Sequence, residues 1–385
     1  MAAGPRPLVL NTRVKRYFMR RPNSPGLTRA TAVGSVDPLM RAKSGPEKSS
    51  LTIRDIARLA GVSAATVSRV VNRDARVSTA KRGAVMAVIE QVHYQPSAVA
   101  QWLARGTSQA FGVLTEDLAS DFYGQALKGI EAGLRNSGYH PIFASGAQPA
   151  EADAAIELLL RNRIAALIAV GFFREERLRE LARQLPFVNV GPRIAGLEER
   201  CAVADNLSGA YEATRHLIAL GHKRIVHIAG PSSHQHSADR ILGFNKALEE
   251  AHLRPDVRLV VEGDFEAASG ARAVESLLRR RIAFTAVFAA NDPMAYGAMH
   301  ALFVRGLRVP KDVSIVGFDD RPQSAFTTPA LTTVRQPEIE MGAEAVAALL
   351  RELRGGPASL PRFATQLVVR ESTARPLSSR RPNAR

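Results

Sequence analysis

Residues 52–72 of this chain read TIRDIARLAGVSAATVSRVVN, and the spacing of their apolar residues predicts two short helices joined by a glycine turn. Gly61 can adopt the unusual backbone angle with which a helix ends, and Ser63 is placed to cap the second helix. The first helix has apolar residues at helical spacing: Ile53, Ile56, Ala57 and Ala60. The second helix directs three valines inward: Val67, Val70 and Val71. This is the outline of a helix-turn-helix.

The second predicted helix leaves small and polar side chains on its first turns or its open face. They are Ala64, Ala65, Thr66, Ser68 and Arg69. A recognition helix uses such positions to contact base edges and phosphates. An ordinary helical hairpin in a larger core is the alternative interpretation of the same pattern.

Five stretches of the chain resemble, in order and spacing, the lactose-repressor (LacI/GalR) family of bacterial transcription regulators. They are DIARLAGVSAATVSRVVN at 55–72, YQPSAVAQWL at 94–103, LGHKRI at 220–225, ANDPMAYGAM at 290–299, and VGFDD at 316–320 followed by PALTTVRQ. The resemblance covers about residues 51–376. It implies a three-helix DNA-binding headpiece, a hinge helix and a periplasmic-binding-protein-like core of two α/β subdomains.

The segment after the first two helices fits this plan. Ser78 is predicted to cap a third helix that runs to about Val92, and Pro96 precedes a short helix at 98–103. The resemblance implies that this hinge helix pairs with its twin in a dimer and sets Leu103 into the minor groove of DNA. Without the resemblance, Trp102 and Leu103 would be an apolar anchor of a linker. The predicted DNA contacts are Thr52, Ser63, Ala64, Ala65, Thr66, Ser68, Arg69, Asn72, Ser78, Tyr94 and Leu103.

The formal net charge of +16 for the 385 residues is concentrated at the front of the chain. Residues 1–50 contain 10 Lys or Arg against 2 Asp or Glu, and residues 51–108 contain 8 against 3. A basic front supplies salt-sensitive affinity for DNA phosphates, although a basic tail can also serve solubility or bind membranes. The predicted divisions are a disordered arm (1–50), the headpiece (51–95), the hinge and linker (96–108), the core (109–376) and a basic tail (377–385).

Residues from Gln109 onward alternate short apolar runs with stretches of helical periodicity. This alternation predicts an α/β fold, in which a mostly parallel sheet has helices on both faces. Nine strands are too many for one comfortable sheet, so two subdomains with a cleft between them are expected. The predicted strands lie at 111–114, 140–144, 165–170, 187–190, 201–204, 224–229, 257–261, 286–290 and 314–318. Predicted helices include Gly124–Asn136, Glu151–Asn162, Ser208–Leu220 and Ser237–Ala251.

Ligands of open α/β sheets bind at the carboxyl ends of the strands, where polar and aromatic residues of this chain gather. The predicted effector contacts are Phe122, Tyr123, His234, His236, Arg240, Phe265, Asn291 and Asp319. Donors, acceptors and flat rings of this kind suit a polyhydroxylated or heterocyclic ligand. The resemblance implies effector contacts for Arg240, Asn291 and Asp319, and stacking for Phe265. Asp292 and Asp320 are predicted to cap the helices that follow them.

Several other functions lack a basis in the sequence. There is no P-loop, no dinucleotide fingerprint after a strand and no GxSxG motif, so neither a cofactor nor an enzymatic activity is expected. The single cysteine, Cys201, offers neither a disulfide nor a cysteine cage, and His234-x-His236 has no third metal ligand, so no metal is expected. The absence of a membrane span and of a secretory signal predicts a cytoplasmic, nucleoid-associated protein.

The favoured hypothesis is a DNA-binding repressor controlled by a small-molecule effector, a sugar or sugar derivative. Its partners would be a near-palindromic double-stranded operator and a second copy of the chain, with no membrane partner. A dimer is expected and not a tetramer, because the nine residues after Pro376 carry no leucine heptads. A periplasmic-type binding protein without a DNA role and an α/β enzyme are the alternatives; the first would lack the headpiece and the second would need catalytic residues.

Overall fold

The computed structural model describes residues 51–71, 74–94 and 109–377. They belong to two compact units that divide between Gln95 and Pro96. The predicted arm (1–50), Asn72 and the predicted hinge helix with Leu103 lie outside the described residues.

The first unit contains three helices: α1 (Ile53–Leu59), α2 (Ala64–Val71) and α3 (Thr79–Gln91). Thr52 caps α1 in a reciprocal capping box with Asp55, which satisfies backbone donors at the start of that helix. Gly61 has φ +63°, the left-handed conformation expected between α1 and α2. The Ser63 hydroxyl accepts from the Thr66 backbone N–H at 3.2 Å and so caps α2 as predicted.

The three helices enclose a small apolar core of Ile56, Ala57, Val67, Val70 and Val85. Ala64, on the first turn of α2, packs partly against this core. One detail differs from the sequence prediction. Ser78 stands at the N-cap of α3, yet its side chain makes no capping hydrogen bond.

The second unit begins with a five-stranded parallel sheet of order β2-β1-β3-β4-β5. Its strands are β1 (Ala110–Thr115), β2 (His140–Ser145), β3 (Ala166–Val170), β4 (Phe187–Val190) and β5 (Cys201–Ala202). The helices between them are α4 (Asp121–Leu134), α5 (Pro149–Arg161) and α6 (Glu175–Gln184). This sheet and its helices are the first subdomain.

A six-stranded sheet of order β11-β10-β9-β8-β6-β7 forms the second subdomain. Its strands are β6 (Ile225–Ala229), β7 (Val260–Glu262), β8 (Ala286–Ala289), β9 (Ser314–Asp319), β10 (Thr332–Arg335) and β11 (Gln366–Val368), all parallel except β11. Its helices are α7 (Asn206–Ala219), α8 (Gln235–Glu250), α9 (Ala267–Arg279) and α10 (Asp292–Val304). The last helix, α11 (Glu338–Glu352), packs on the first subdomain. The chain therefore passes between the subdomains after β5, before α11 and after α11.

The predicted two-sheet α/β architecture is confirmed, but the strand assignments were wrong in three places. Val257–Leu259 is a 3-10 turn and not part of a strand, because Asp256 caps it and stops extended pairing. The predicted strand at 201–204 pairs with β4 only at Cys201 and Ala202, after which Ala204 bridges to Phe363 near the subdomain junction. Strands β10 and β11 were not predicted. No helix in the described ranges combines the length and apolarity needed to cross a bilayer.

Helix α11 lies against α4 at very short range. A Cβ added at Gly129 would lie 2.0 Å from the Ile339 carbonyl oxygen, and one added at Gly342 would lie 2.1 Å from that of Ala126. The two glycines therefore permit a backbone contact that closes the first subdomain around Ile130 and Val346, both fully buried.

We expect Gly129→Ala to lower the free energy of unfolding by about 1–3 kcal/mol, because the added methyl overpacks this crossing. Gly124→Ala is the matched control: it lies on the same helix with nothing within 4 Å of its added Cβ. The control should be neutral or stabilising by up to ~1 kcal/mol, since alanine is the better helix former. Urea unfolding measures both; equal effects of the two substitutions would contradict the close crossing.

Candidate functional site

A cavity of about 500 Å³ lies between the two subdomains of the core. Seven of the eight predicted effector contacts line it: Tyr123, His234, His236, Arg240, Phe265, Asn291 and Asp319. The eighth, Phe122, belongs to α4, but its side chain lies outside what the structure describes. The other lining residues, which the sequence did not single out as contacts, are Asp117, Ala119, Ser120, Phe172, Glu266, Pro293 and Arg321.

Parallel strands bring these side chains together, because their carboxyl ends point to the same edge of each sheet. Asp319 is the last residue of β9, and Asn291 stands two residues after the end of β8. His234 and His236 stand at the start of α8, after β6, with Arg240 one turn further on the same helix. Phe172 also follows the carboxyl end of a strand, β3. The strand-end position that identified the other contacts could therefore have identified Phe172 as well.

The backbone at two cavity residues is unusual. Asp319 has φ +113° and Phe265 has φ +68°, in the region that favours glycine. Non-glycine residues in this region collect at ligand sites when the surrounding structure holds them there. The turn at Asp319 carries the chain out of β9.

Aromatic rings form one wall of the cavity. The Phe172 ring of the first subdomain stacks on His234 of the second at 4.2 Å between centroids, and it meets His236 edge-on at 4.9 Å. The centroid of the Phe265 ring lies 5.6 Å from that of His234. Such a wall offers flat faces for a ring-shaped ligand.

Burial lowers the pKa of both cavity histidines and so favours their uncharged forms. Burial, followed by the charge of Arg240, lowers the pKa of His236 to about 3, against an opposing hydrogen bond to the backbone of Gly191. Burial also lowers the pKa of His234. Among the described residues, His236 Nε2 and His234 Nδ1 are buried without a hydrogen-bond partner. Buried polar atoms of this kind are normally satisfied, so both nitrogens are candidates for ligand contact.

Five buried charged residues form the cavity floor and the structure behind it. This ionic cluster consists of Arg240, Asp292, Asp319, Arg321 and Glu338. The Arg240 guanidinium lies 3.8 Å above the Phe318 ring and 3.8 Å from the nearer Asp319 oxygen. Its Nε donates to Asn206 Oδ1 at 2.9 Å, and its Nη1 donates to the Ala290 carbonyl.

Arg321 joins the two subdomains through this cluster. Its Nη2 lies 3.4 Å from Asp319 Oδ2, and its Nη1 lies 3.4 Å from Glu338 Oε2 at the start of α11. Burial raises the pKa of Glu338 well above its usual value, against the pull of Arg321. Gln336 Nε2 donates to Asp319 Oδ1 at 2.7 Å and holds the second carboxylate oxygen.

The predicted capping roles of Asp292 and Asp320 were wrong. Asn291 caps α10, accepting from the Met294 N–H at 3.0 Å. Asp292 instead accepts from the Arg321 N–H, the Ser324 hydroxyl and the Thr333 hydroxyl, because it faces the loop after β9 and not its own helix. Asp320 pairs with Arg335 at 2.7 Å and Arg370 at 2.6 Å, outside the cavity lining.

Asn291 is also more constrained than the sequence indicated. Its Oδ1 caps α10, and its Nδ2 donates to the Phe265 carbonyl at 2.8 Å. The side chain thereby fixes the strained backbone of Phe265 as well as lining the cavity.

In the headpiece, Ala65 and Arg69 are exposed on α2, and Ser78 is exposed at the start of α3. The Ser63 and Thr66 hydroxyls bond to each other at 2.9 Å. Ser68, on α2, and Thr52, at the cap of α1, complete the described part of the predicted DNA-contacting set. Tyr94 packs partly against the headpiece core, so burial raises the pKa of its phenol.

Comparisons with known proteins agree with both units. The family model described as bacterial regulatory proteins, lacI family, matches residues 52–97, and the periplasmic binding protein-like domain matches 214–373. The HTH-type transcriptional regulator GalR of Escherichia coli K12 is 38% identical over 330 residues, covering 84% of this chain and 96% of its own.

Solved structures give the same result. The lac repressor dimer bound to operator and the anti-inducer ONPF aligns with a TM-score of 0.77 and 31% identity over 84% of this chain and 99% of its own. The complex of the transcriptional regulator CelR with cellobiose aligns with a TM-score of 0.64 and 32% identity. The alignment covers 84% of this chain and 99% of the CelR chain. This chain belongs to the LacI family of bacterial regulatory proteins. It is a DNA-binding transcription regulator under small-molecule control and not an enzyme.

Asp292 makes the stability of the core depend on pH. Burial, followed by the charge of Asp319, raises its pKa from 3.8 to about 7. Between these values the folded state keeps a proton that the unfolded state releases, so stability falls as pH rises and is constant above about pH 7. Asp292→Asn has no titrating group at this position, so it lacks this pH dependence. Relative to the wild type, its free energy of unfolding should rise between pH 4 and 7, by at most about 1.4 kcal/mol per pH unit.

Urea unfolding at intervals from pH 4 to 8 measures this difference. Asp312→Asn is the control, because hydrogen bonds from Arg308 lower the pKa of Asp312 to about 2, below the interval. Its difference from the wild type should not change across that range. Parallel curves of unfolding free energy against pH for the wild type and Asp292→Asn would contradict a buried Asp292 carboxyl with a raised pKa.

Proposed function

We propose that this chain is a dimeric repressor whose operator affinity is set by a sugar bound between the two core subdomains. The observation that carries the proposal is the pairing, in one chain, of a helix-turn-helix unit with a cavity lined from both subdomains. The first contacts DNA and the second binds a ligand.

The headpiece supplies the DNA contacts in this proposal. Arg69 and Ala65 are exposed on α2, which we take as the recognition helix in the major groove. Arg69 offers charge and forked donors to phosphates or guanine, whereas Ala65 permits close approach to base edges. The exposed Ser78 at the start of α3 suits a phosphate, since a helix start presents free backbone N–H groups.

Two copies of the chain are needed for specific binding. One headpiece of this size makes a small interface, so a symmetric pair on a near-palindromic operator is the natural arrangement. The lac repressor structure that this chain resembles is a dimer bound to operator. In the proposal Leu103 of each chain wedges the central base step, and the chain works on DNA in the cytoplasm.

A sugar is the effector that the cavity favours. The aromatic wall of Phe172, His234 and Phe265 faces buried polar groups, a combination that suits a ring bearing hydroxyls. The related CelR structure holds cellobiose. The effector contacts in the proposal are the seven predicted cavity residues together with Arg321, and Phe122 stays a prediction.

We expect Arg69→Ala to weaken specific operator binding at least tenfold, because it removes a charged donor from the recognition helix. Gel retardation on DNA from the gene's own upstream region, at fixed salt, measures the affinity. Arg215→Ala is the matched control: it removes the same charge from an exposed helix of the core, where Arg215 pairs with Glu212 at 2.7 Å.

The control should bind operator within about twofold of the wild type. That small loss reflects the removal of one positive charge, which weakens DNA affinity in general. Both variants should unfold at the wild-type midpoint, since neither side chain is part of a core. Equal operator affinity of Arg69→Ala and the wild type would contradict the assignment of α2 as the DNA-contacting recognition helix.

A further inference from the structure

The two subdomains also meet beside the cavity, in a contact separate from the chain crossings and from the ionic cluster. The backbone N–H of Arg193 donates to Gln235 Oε1 at 2.8 Å, and Arg193 Nη1 lies 3.2 Å from Asp239 Oδ2. Arg193 belongs to the first subdomain, whereas Gln235 and Asp239 lie on the first turns of α8 in the second. We call these three residues the Arg193 clasp.

Arg193 stands on a firmly held loop after β4. The buried Asn189 side chain donates to the Pro192 carbonyl at 2.8 Å, and Ile194 is fully buried in the core of the first subdomain. Because both neighbours of Arg193 in the chain are fixed and protein cores are closely packed, the position of Arg193 follows that of the first subdomain.

The loop that carries Phe172 packs against this same loop. A Cβ added at Gly191 would lie 2.6 Å from the Gly171 carbonyl oxygen, so the loops after β3 and β4 touch through their backbones. Phe172 stacks on His234 at the start of α8, and the clasp joins the same helix start. The aromatic wall and the clasp therefore reach α8 from one edge of the first subdomain.

The start of α8 is held equally well in the second subdomain. His236, Ser237 and Arg240 are buried there, and Arg240 donates to Asn206 at 2.9 Å. The clasp residues of α8 lie on the more exposed side of the same turns. Since His234, His236 and Arg240 line the cavity, a movement of the first subdomain along α8 changes the shape of the cavity.

We propose that the Arg193 clasp sets the balance between this arrangement of the subdomains and a more open one, and that operator affinity follows this balance. The inference rests on the proposed function and adds a control that involves no contact with the effector, because none of the three clasp residues lines the cavity.

The clasp has the strength that a switch requires. The Arg193 side chain is 50% exposed and that of Asp239 19%, and ion pairs near solvent contribute little free energy. A weak contact can be offset by a ligand that prefers one arrangement, whereas a strong one would hold the subdomains together in the presence of any effector.

The test reverses the charge on each side of the clasp in the full-length chain. Arg193→Glu and Asp239→Arg each place like charges together, which should favour the open arrangement by about three- to tenfold. The double variant, Arg193→Glu with Asp239→Arg, places opposite charges together again and should restore the wild-type balance.

Opening is measured as the distance between spin labels on the substitutions Ala154→Cys and Glu249→Cys. Both positions are exposed, the first on α5 of the first subdomain and the second on α8 of the second. Cys201 is buried and does not compete for the label. The labelled chain is diluted into excess unlabelled chain, so that each assembly carries one labelled copy. Each single reversal should add a population at longer distance, which the double reversal removes.

Operator affinity of the same variants, measured by gel retardation without ligand at fixed salt, tests the control of DNA binding. Arg193→Glu makes the chain more negative and Asp239→Arg makes it more positive, so a general charge effect would move their affinities in opposite directions. Loss of the clasp should instead move both affinities in the same direction by at least about threefold, and the double reversal should restore the wild-type value.

Arg215→Glu and Glu212→Arg are the matched controls, because they reverse an exposed ion pair of 2.7 Å that lies within α7 alone. They should leave the label distance unchanged and move operator affinity only as their charges predict.

Unchanged label distances in both single reversals of the clasp would overturn the proposal. Longer distances with operator affinities that follow charge alone would overturn the control of DNA binding by the clasp. Absence of operator binding in every protein, the wild type included, would count against the proposed regulator function, and the label distances would still test the clasp.

Discussion

The buried contact between Arg321 and Glu338 is a constraint that links the two subdomains of the core. It joins the loop after β9 to the start of α11, and so joins the second subdomain to the first at the base of the cavity. A buried pair gains stability only when further bonds hold both partners, and the Arg321 side chain also faces Asp319 while its backbone donates to Asp292. Any ligand that contacts Arg321 or Asp319 therefore acts on the contact between subdomains.

This arrangement gives a physical basis for effector control. A ligand shifts an equilibrium between two arrangements only by its different affinity for them. A cavity lined by Phe172 from one subdomain and by His234 and Asp319 from the other gives a ligand contacts that change when the subdomains move relative to each other. The same coupling must work in reverse, so operator binding changes effector affinity by the same factor.

Much of the fold and of the cavity could be predicted from the sequence. Apolar runs gave the two-sheet core, and the polar residues at strand ends, such as His236 and Asp319, meet in one cavity because parallel strands share a carboxyl edge. Glu338 could not be predicted in this way. It follows β10 closely, but β10 was not predicted, and the helix that Glu338 begins crosses to the other subdomain without a local sequence signal.

The errors have equally physical causes. Asp292 has the spacing of a helix cap, but the loop after β9 offers it two donors and Thr333 of β10 offers a third, while Asn291 takes the cap. Strand β11 is the short antiparallel edge of a parallel sheet, so it lacks the continuous apolar run of a central strand. Secondary-structure propensity reflects only a residue's neighbours in sequence. The hydrogen bonds of Asp292 and the pairing of β11 depend on residues that are close only in space.

The most direct test of the central claim is operator affinity with and without a panel of neutral mono- and disaccharides that includes cellobiose. It compares the wild type with Asp319→Asn, which alters the cavity, and with Asp320→Asn, whose carboxylate pairs with Arg335 and Arg370 outside the lining. The account predicts that a saccharide changes wild-type affinity at least tenfold, that Asp320→Asn keeps this response, and that Asp319→Asn loses it while still binding operator. A saccharide response of full size in Asp319→Asn, or none from the whole panel in the wild type, would contradict it.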